Sequence, residues 1–426
     1  MNTRELLAVS GKTLLGRVLR NNSGRLKWVY EEAWRSANGS FPLSLSMPLT
    51  SPEHSHAKID AFLWGLLPDN AAVLDTWGRQ FQVSSRNAFA LLAHVGEDCA
   101  GAVQFVPPER LDTLLQKRPA PVDWLSERQV AERLRILHAD HSAWRLESDT
   151  GMFSLAGAQP KTALLFENGR WGVPSGRTPT THILKPPVGP LAGFIVNEHF
   201  CLELARRLEF PTATSRVLSF AGQSAIVVER FDRIRRAEGW LRIHQEDLCQ
   251  ALGVHPSHKY QNDGGPGPRE IAELLRNYSS APNDDVITLA DALALNWLIA
   301  GTDAHAKNYG ILIAGDRVRL APLYDIASTL PYPRFDVNRI KLAMKVGDRY
   351  RMSEIRRGDW LKTADQLQLD PDSMLVRIRH MAEAIPELSS EISAELQHTG
   401  LLEPILVPLV KRLEARARLC LKQIER

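Results

Sequence analysis

Cysteine is scarce in this chain. Four occur in 426 residues, at Cys99, Cys201, Cys249 and Cys420. None pairs at the short spacing of a zinc site or a disulfide framework, so neither is expected to hold the fold, and a reducing cytoplasm is the expected compartment. Long apolar runs are missing as well: no stretch reaches the roughly 18 residues of a spanning helix, which predicts no membrane association. The first ten residues lack the basic start and apolar core of a signal peptide. Nor does one sign of charge prevail. The 52 Lys and Arg nearly balance 49 Asp and Glu, leaving +3, which excludes a global basic field for nucleic acid but allows a local patch. No solenoid repeat or low-complexity tract is present. What remains is an ordinary globular composition, 44% hydrophobic and 24% charged, with length for two or three subdomains.

The most informative stretch spans 289–325. Large apolar residues from 289 to 300 recur at near-helical spacing and stop at Gly301, as a buried helix does on meeting a loop. The loop that follows contains Asp303, His305, Ala306, Lys307 and Asn308, and its Asp-x4-Asn spacing is that of a protein-kinase catalytic loop. Two apolar segments around Gly315-Asp316 predict a short hairpin, which would return the chain to Tyr324 and Asp325. In phosphoryl transfer an aspartate accepts or orients the attacking hydroxyl, while an asparagine oxygen and a second carboxylate hold Mg²⁺. Asp303, Asn308 and Asp325 fit those roles, although Asp-x4-Asn alone is a frequent coincidence.

Upstream segments add to the pattern. Short runs at 4–9, 13–19 and 26–30, separated by Gly and Asn, predict a small antiparallel sheet, and 42–48 alternates with period two like a further strand. Helices are expected at 71–81 and 86–95, a strand at 102–108, and a helix at 126–138 within a polar connector. The small residues Ala156, Gly157 and Ala158, with Gln159, Pro160 and Lys161, form a loop able to bring backbone close to an anion. Read singly, it is equally a plain hairpin. Lys185 lies on a short strand, where it either neutralises phosphates or is a solvated lysine. Glu198 stands thirteen residues on in a helical pattern, as a partner for Lys185 or as an ordinary helix glutamate. The strand at 224–233 ends in Glu229, Arg230 and Phe231, candidates for a nucleotide edge. Helices are expected at 269–276, 286–300, 371–385, 389–397 and 408–424. The last carries Leu409, Leu413, Ala417 and Leu421 on one stripe, with Lys411, Arg412, Arg416, Arg418 and Lys422 elsewhere, a face that is either solvated or touches DNA or a partner.

With these motifs in order, the chain resembles the HipA family of bacterial toxin kinases. The resemblance runs from the Pro42–Leu49 segment and Leu66-Leu67-Pro68-Asp69 through the 154–165 loop, Thr180 to Lys185 and 245–250. It continues through Asp263 to Gly267, Thr302 to Asn308 and Pro322 to Asp325. It implies an α+β, bilobal protein-kinase-like fold, with a β-rich N-terminal subdomain at 1–145 and a kinase domain at 146–426. The nucleotide-binding part of that domain would end near 235 and a helical lobe would follow. By resemblance, Asp303 is the catalytic base, Asn308 and Asp325 bind Mg²⁺, and Lys185 contacts ATP. Residues 156–161, 229–231, 305–308 and 324–325 would line the nucleotide site, and Ser154 would be an autophosphorylation site that switches the kinase off. Pro160 departs from the glutamate frequent in relatives, which stiffens the loop and removes an N–H donor. The implied partners are a small helix-turn-helix antitoxin, operator DNA reached through it, and a protein target, glutamyl-tRNA synthetase in one branch. Two other readings stay open: a small-molecule phosphotransferase, which shares the catalytic logic, and a non-catalytic co-repressor in an antitoxin–DNA complex.

Overall fold

The computed structural model describes residues 4–115, 121–146, 149, 152–187, 189, 191–237, 239–398, 401 and 403–425. The fold is α+β and divides into two compact units: Met1–Pro186 with Leu218–Ser257 and Ile311–Val318, and Pro187–Val217 with His258–Gly310 and Arg319–Arg426.

The first unit is built on sheets. Strands Glu5–Ser10, Thr13–Arg20 and Leu26–Tyr30 pair antiparallel as their turn residues predict, with Gly11 at φ +60° in the first turn. Val103–Val106 joins one edge and Glu53–His54 the other, giving five strands. The period-two segment at 42–48 is not a strand. Leu43, Leu45 and Met47 are buried as its alternation predicts, but its backbone bonds go mostly to side chains. The Tyr30 hydroxyl accepts from Leu43 N and donates to Met47 O, while Glu246 accepts from Leu45 N at 2.8 Å. Alternation reports burial, and ladder pairing needs a free strand edge besides. Helices His56–Gly65, Ala71–Phe81 and Ala88–Val95 follow, the last two capped by Asn70 and Asn87.

A second, six-stranded sheet runs in the order Ser215–Phe220, Gln223–Glu229, His182–Lys185, Thr162–Glu167, Arg170–Pro174, Val122–Leu125. Helix Glu127–Ala139, opened by a Ser126–Gln129 capping box, buries Val130, Ala131 and Leu134 in a cluster with Leu164, Leu184 and Val227 of this sheet.

The second unit is mainly helical. Helix Pro282–Ile299 is buried along most of its length, and Pro268–Tyr278, Arg357–Gln366, Pro371–His398 and Leu406–Glu425 complete the bundle with Phe194–Arg207. The two helices expected at 371–385 and 389–397 are one: Pro386 lies inside Pro371–His398. A proline there forfeits one helical bond, yet Met374, Ile378, Met381, Ile385, Ser389 and Ile392 are buried on either side of it, and that packing keeps the axis continuous. On the C-terminal helix the buried stripe is Leu409, Leu413, Ala417, Cys420 and Ile424. Arg416 is not part of an outer basic face. It is 3% exposed, donates to Trp297 O at 3.1 Å and lies 5.3 Å from the Trp297 ring centre.

Candidate active site

The catalytic-loop candidate begins where Pro282–Ile299 ends. Ala300 takes a left-handed φ of +56°, and Gly301 folds so tightly that a Cβ there would lie 2.2 Å from Asn296 Oδ1. Only glycine permits that approach, so the chain leaves the buried helix abruptly and reaches Thr302 and Asp303. The loop then closes on itself. The Asp303 carbonyl accepts from His305 N at 2.8 Å and from Asn308 Nδ2 at 2.7 Å, and Asn308 N donates to His305 O at 2.8 Å. Spending its amide nitrogen this way leaves the Asn308 amide oxygen as the group available to a ligand. His305, Ala306 and Lys307 are buried, whereas the Asp303 side chain is 71% exposed. The Tyr260 hydroxyl donates to Asp303 Oδ1 at 2.6 Å, and His305 Nε2 lies 3.9 Å from the same oxygen.

The expected hairpin is present as Gly310–Ala314 and Arg317–Leu320, turning at Gly315 with φ +64°. Its return strand is fastened by Asp285 of the buried helix, which accepts from Arg319 Nε and Nη2 and from Leu320 N at 2.9 to 3.1 Å. The chain then passes back beside the loop. Leu323 pairs with the 211–213 segment through Leu323 N to Pro211 O and Ala213 N to Leu323 O, and the Tyr324 hydroxyl donates to Lys307 O at 2.8 Å. Ser328 Oγ donates to Ile299 O at 2.6 Å, and both Thr329 N and Oγ1 donate to Ala300 O. Asn197 of helix Phe194–Arg207 holds Ser328 from both sides, accepting from its N at 3.0 Å and donating to its O at 2.7 Å. Asp325, with φ +53°, is therefore bracketed by ties from 324 to 307 and from 328–329 to 299–300. These ties hold the 324–329 segment against the residues on either side of the loop that carries Asp303 and Asn308.

The phosphate-loop candidate lies in the sheet-rich unit. Ser154 is fully buried, its hydroxyl donating to Leu66 O at 2.7 Å and its amide to Asp98 O at 3.0 Å. Gly157, at φ +100°, bridges to Pro68, and Asp69 N donates to its carbonyl. Beyond the exposed Ala158, Gln159 and Pro160 lead back to Lys161, whose ammonium donates to Ala156 O at 2.7 Å and stands 5.0 Å from the buried Trp144 ring. A Cβ on residue 157 would lie 2.5 Å from Lys161 Nζ, so the glycine makes room for this inward lysine. Lys185 is buried on its strand opposite Ile226. Glu198 is buried in its helix.

Of the 229–231 segment, Glu229 is exposed, Phe231 half-buried and Arg230 buried. The Arg230 amide donates to Thr181 O, and its guanidinium joins a buried cluster of Asp98, Asp232, Arg233 and Arg242. Thr180 Oγ1 donates to Asp98 at 2.6 Å, and Gly101 N donates to Asp232 at 2.8 Å. Burial opposes ionisation of Asp98, but Arg242, Arg230 and Arg233 together hold its carboxyl below the ordinary carboxylate range. No local motif marks this cluster, whose members lie up to 144 residues apart. Tyr260 also went unread. The signal that bears on it is the Gly264-Gly265-Pro266-Gly267 run just after it.

Set against known proteins, residues 6–106 match the HipA N-terminal domain and residues 153–388 the HipA-like C-terminal domain. A Sinorhizobium fredii protein named as the kinase Y4mE is 36% identical over 385 residues, covering 89% of each chain. The Shewanella oneidensis serine/threonine-protein kinase toxin HipA is 31% identical over 377 residues, covering 85% of this chain and 83% of that one. The solved structure of Shewanella oneidensis HipA with HipB and operator DNA superposes with a TM-score of 0.84 at 26% identity, covering 99% and 98% of the two chains. By both domain matches and by these relatives, the chain belongs to the HipA family.

Proposed function

We propose that this protein is an ATP-dependent serine/threonine-protein kinase and the toxin of a toxin–antitoxin pair. The observation that carries the reading is the self-closed 303–308 loop, in which Asn308 Nδ2 donates to Asp303 O, with the 324–329 segment that contains Asp325 tied to Lys307 and Ala300 on either side of it. Asp303, exposed and acceptor-only when ionised, is assigned to receive the proton of an attacking hydroxyl. Asn308 and Asp325 offer an amide oxygen and a carboxylate, the hard oxygen donors that suit Mg²⁺, which takes few protein ligands and completes its shell with water and phosphate. When bound, the ion would neutralise charge on the nucleotide phosphates. Lys185 and the 156–161 loop are assigned to those phosphates, the 229–231 segment to the base, and 305–308 with Tyr324 to the remaining nucleotide contacts.

The buried Ser154 hydroxyl is the assigned autophosphorylation site. A phosphate of nearly two negative charges has no place against Leu66 O, so modification would expel the loop and silence the enzyme. The Shewanella relative is a named toxin whose solved structure includes HipB and operator DNA. From it we assign this chain a HipB-like antitoxin and operator DNA through that partner; the family resemblance adds a helix-turn-helix in that antitoxin, a cytoplasmic setting and glutamyl-tRNA synthetase as protein target. No helix among the described residues is long and apolar enough to cross a membrane.

The test is incubation of the purified protein with ATP, Mg²⁺ and cell lysate. A labelled lysate protein and a gain of one phosphate at Ser154 are expected, both lost in Asp303→Ala while its thermal unfolding is unchanged. Transfer that persists in Asp303→Ala, or phosphate found only on a metabolite, overturns the reading.

A further inference from the structure

Beside Asp303, within the helical unit, lies a cavity of about 370 Å³ bounded by Tyr260, Asn262, Asp263, Thr302, Lys341 and Tyr350. None of these residues has a role in the nucleotide site described above. We propose that this cavity receives the segment of the acceptor polypeptide flanking its hydroxyl, and that Tyr260 is a positioning residue joining that cavity to Asp303. The proposal rests on the kinase reading and names the substrate side of the same site.

Three observations place Tyr260 in that role. Its hydroxyl occupies one oxygen of Asp303 at 2.6 Å, on a side chain that stays 71% exposed. Its ring meets His305 edge-on at 4.9 Å between centres, and Ala306 N donates to the neighbouring Lys259 O at 3.3 Å, so the 259–260 segment is tied to the catalytic loop at three points. Finally, the glycine-rich run after it is shaped to hold it. Asp263 N and Gly265 N both donate to Tyr260 O at 3.0 Å, and a Cβ on Gly265 would lie 2.0 Å from His258 O and 2.8 Å from Tyr260 O. Gly264 takes φ +86° to complete that turn. Gln261 Oε1 then accepts from Lys345 N at 2.7 Å, bracing the turn on strand Lys341–Val346, which supplies the opposite wall.

The lining decides what the cavity takes. Two tyrosine rings with the aliphatic Leu342 and Ala343 offer apolar surface, and the Thr302 hydroxyl, one ammonium, one carboxylate and one carboxamide present donors and acceptors of both signs. Such a set pairs the alternating carbonyls and amides of a main chain. It lacks the concentrated charge that an ionic metabolite needs. Thr302 is the chain neighbour of Asp303, so a serine or threonine reaching Asp303 brings its adjacent residues, one Cα step of 3.8 Å away, to the cavity mouth.

The experiment uses full-length protein, with the protein that the wild type labels in lysate, once purified, as acceptor. Tyr350→Ala and Lys341→Glu are expected to raise the KM for that acceptor about tenfold or more, with the KM for ATP unchanged. Tyr260→Phe removes only the hydroxyl and is expected to lower kcat about tenfold, the scale of one hydrogen bond to a charged group, with both KM values unchanged. Acceptor KM within twofold of wild type in both wall variants overturns the cavity assignment. Unchanged kcat in Tyr260→Phe overturns the positioning role. Absence of any labelled protein with the wild type instead overturns the kinase reading, so the two failures are distinguishable.

Discussion

Asp325 offers a clean separation of chemistry from folding, because its backbone is set against its own side chain. At φ +53° it occupies the left-handed region, which costs an L-residue roughly 1–2 kcal/mol, less for aspartate than for a residue without a local hydrogen-bonding group. The ties on either side hold it there: Tyr324 to Lys307, Ser328 to Ile299, and Thr329 to Ala300. Asp325→Gly and Asp325→Ala both remove the carboxylate, so whatever its contacts contribute cancels between them. What remains is the backbone. Glycine takes the left-handed conformation without strain and alanine does not, so Asp325→Gly is expected to be the more stable by about 1 kcal/mol. Flexibility of glycine in the unfolded chain takes back part of that gain. Trp297 and Trp360, fully buried and 5.4 Å apart in the same unit, provide the fluorescence signal for urea unfolding. Phosphate transfer is expected to vanish in both variants. If alanine proves as stable as glycine, the surrounding hydrogen bonds do not hold residue 325 in a strained conformation. If either variant still transfers phosphate at the wild-type rate, Asp325 holds no metal.

Other expectations follow from the buried charges. Burial raises the Glu246 carboxyl from an ordinary 4.5 to about 8. The unfolded chain therefore ionises first: stability is complete below about pH 4.5, falls as pH rises, and the loss levels off above about pH 8. Glu246→Gln keeps an acceptor for Leu45 N and removes the titration. Its advantage over wild type is expected to grow between pH 5 and 8 toward a ceiling of about 5 kcal/mol, and a pH-independent difference in unfolding free energy would contradict this. Asp98→Asn leaves three buried guanidinium groups with Asp232 as the remaining carboxylate of the cluster and should cost about 3–5 kcal/mol; a loss under about 1 kcal/mol by denaturant titration would show the cluster to be dispensable. Ser154→Ala leaves the buried Leu66 carbonyl without its donor and is expected to cost about 1–3 kcal/mol, while abolishing mass gain on the protein's own chain.

The parts legible in the sequence were those governed by local rules. Turn residues between short apolar runs fixed the first three strands, and apolar periodicity followed by glycine fixed the helix before Thr302. The Gly315-Asp316 turn fixed the hairpin that returns Asp325. What escaped depends on partners far along the chain. Arg230 reads as one end of a strand near a nucleotide; that its guanidinium is engaged by Asp98 and Asp232 follows only from the fold. The 42–48 segment alternates correctly, yet its hydrogen bonds go to Tyr30 and Glu246, one of them 201 residues away. Pro386 looks like a break until the packing on both sides of it is known. Tyr260 carries no signature of its own, since a tyrosine before a glycine-rich loop acquires meaning only when that loop is seen to close on its carbonyl.

The candidate site residues differ in how firmly they are held, and the difference follows from the work each would do. A metal ligand is useful only if its oxygen already stands in place, because Mg²⁺ demands near-ideal octahedral geometry and tolerates little rearrangement. Asn308 meets this by spending its nitrogen on Asp303 O, and Asp325 by a backbone locked in an unfavourable conformation. A group that receives a proton from an incoming chain needs the opposite: solvent access and a side chain steered without being enclosed. Asp303 has 71% of its side chain exposed and a hydrogen bond from a tyrosine on a separate loop. That loop is in turn braced on strand Lys341–Val346. The rigid elements of the unit thus end on the prospective metal ligands, whereas the prospective base is steered by Tyr260, which also lines the cavity proposed for the acceptor. Specificity for the acceptor and orientation of the base would then be exerted through one side chain, and changes in the cavity wall should alter which proteins are modified before they alter how nucleotide is bound.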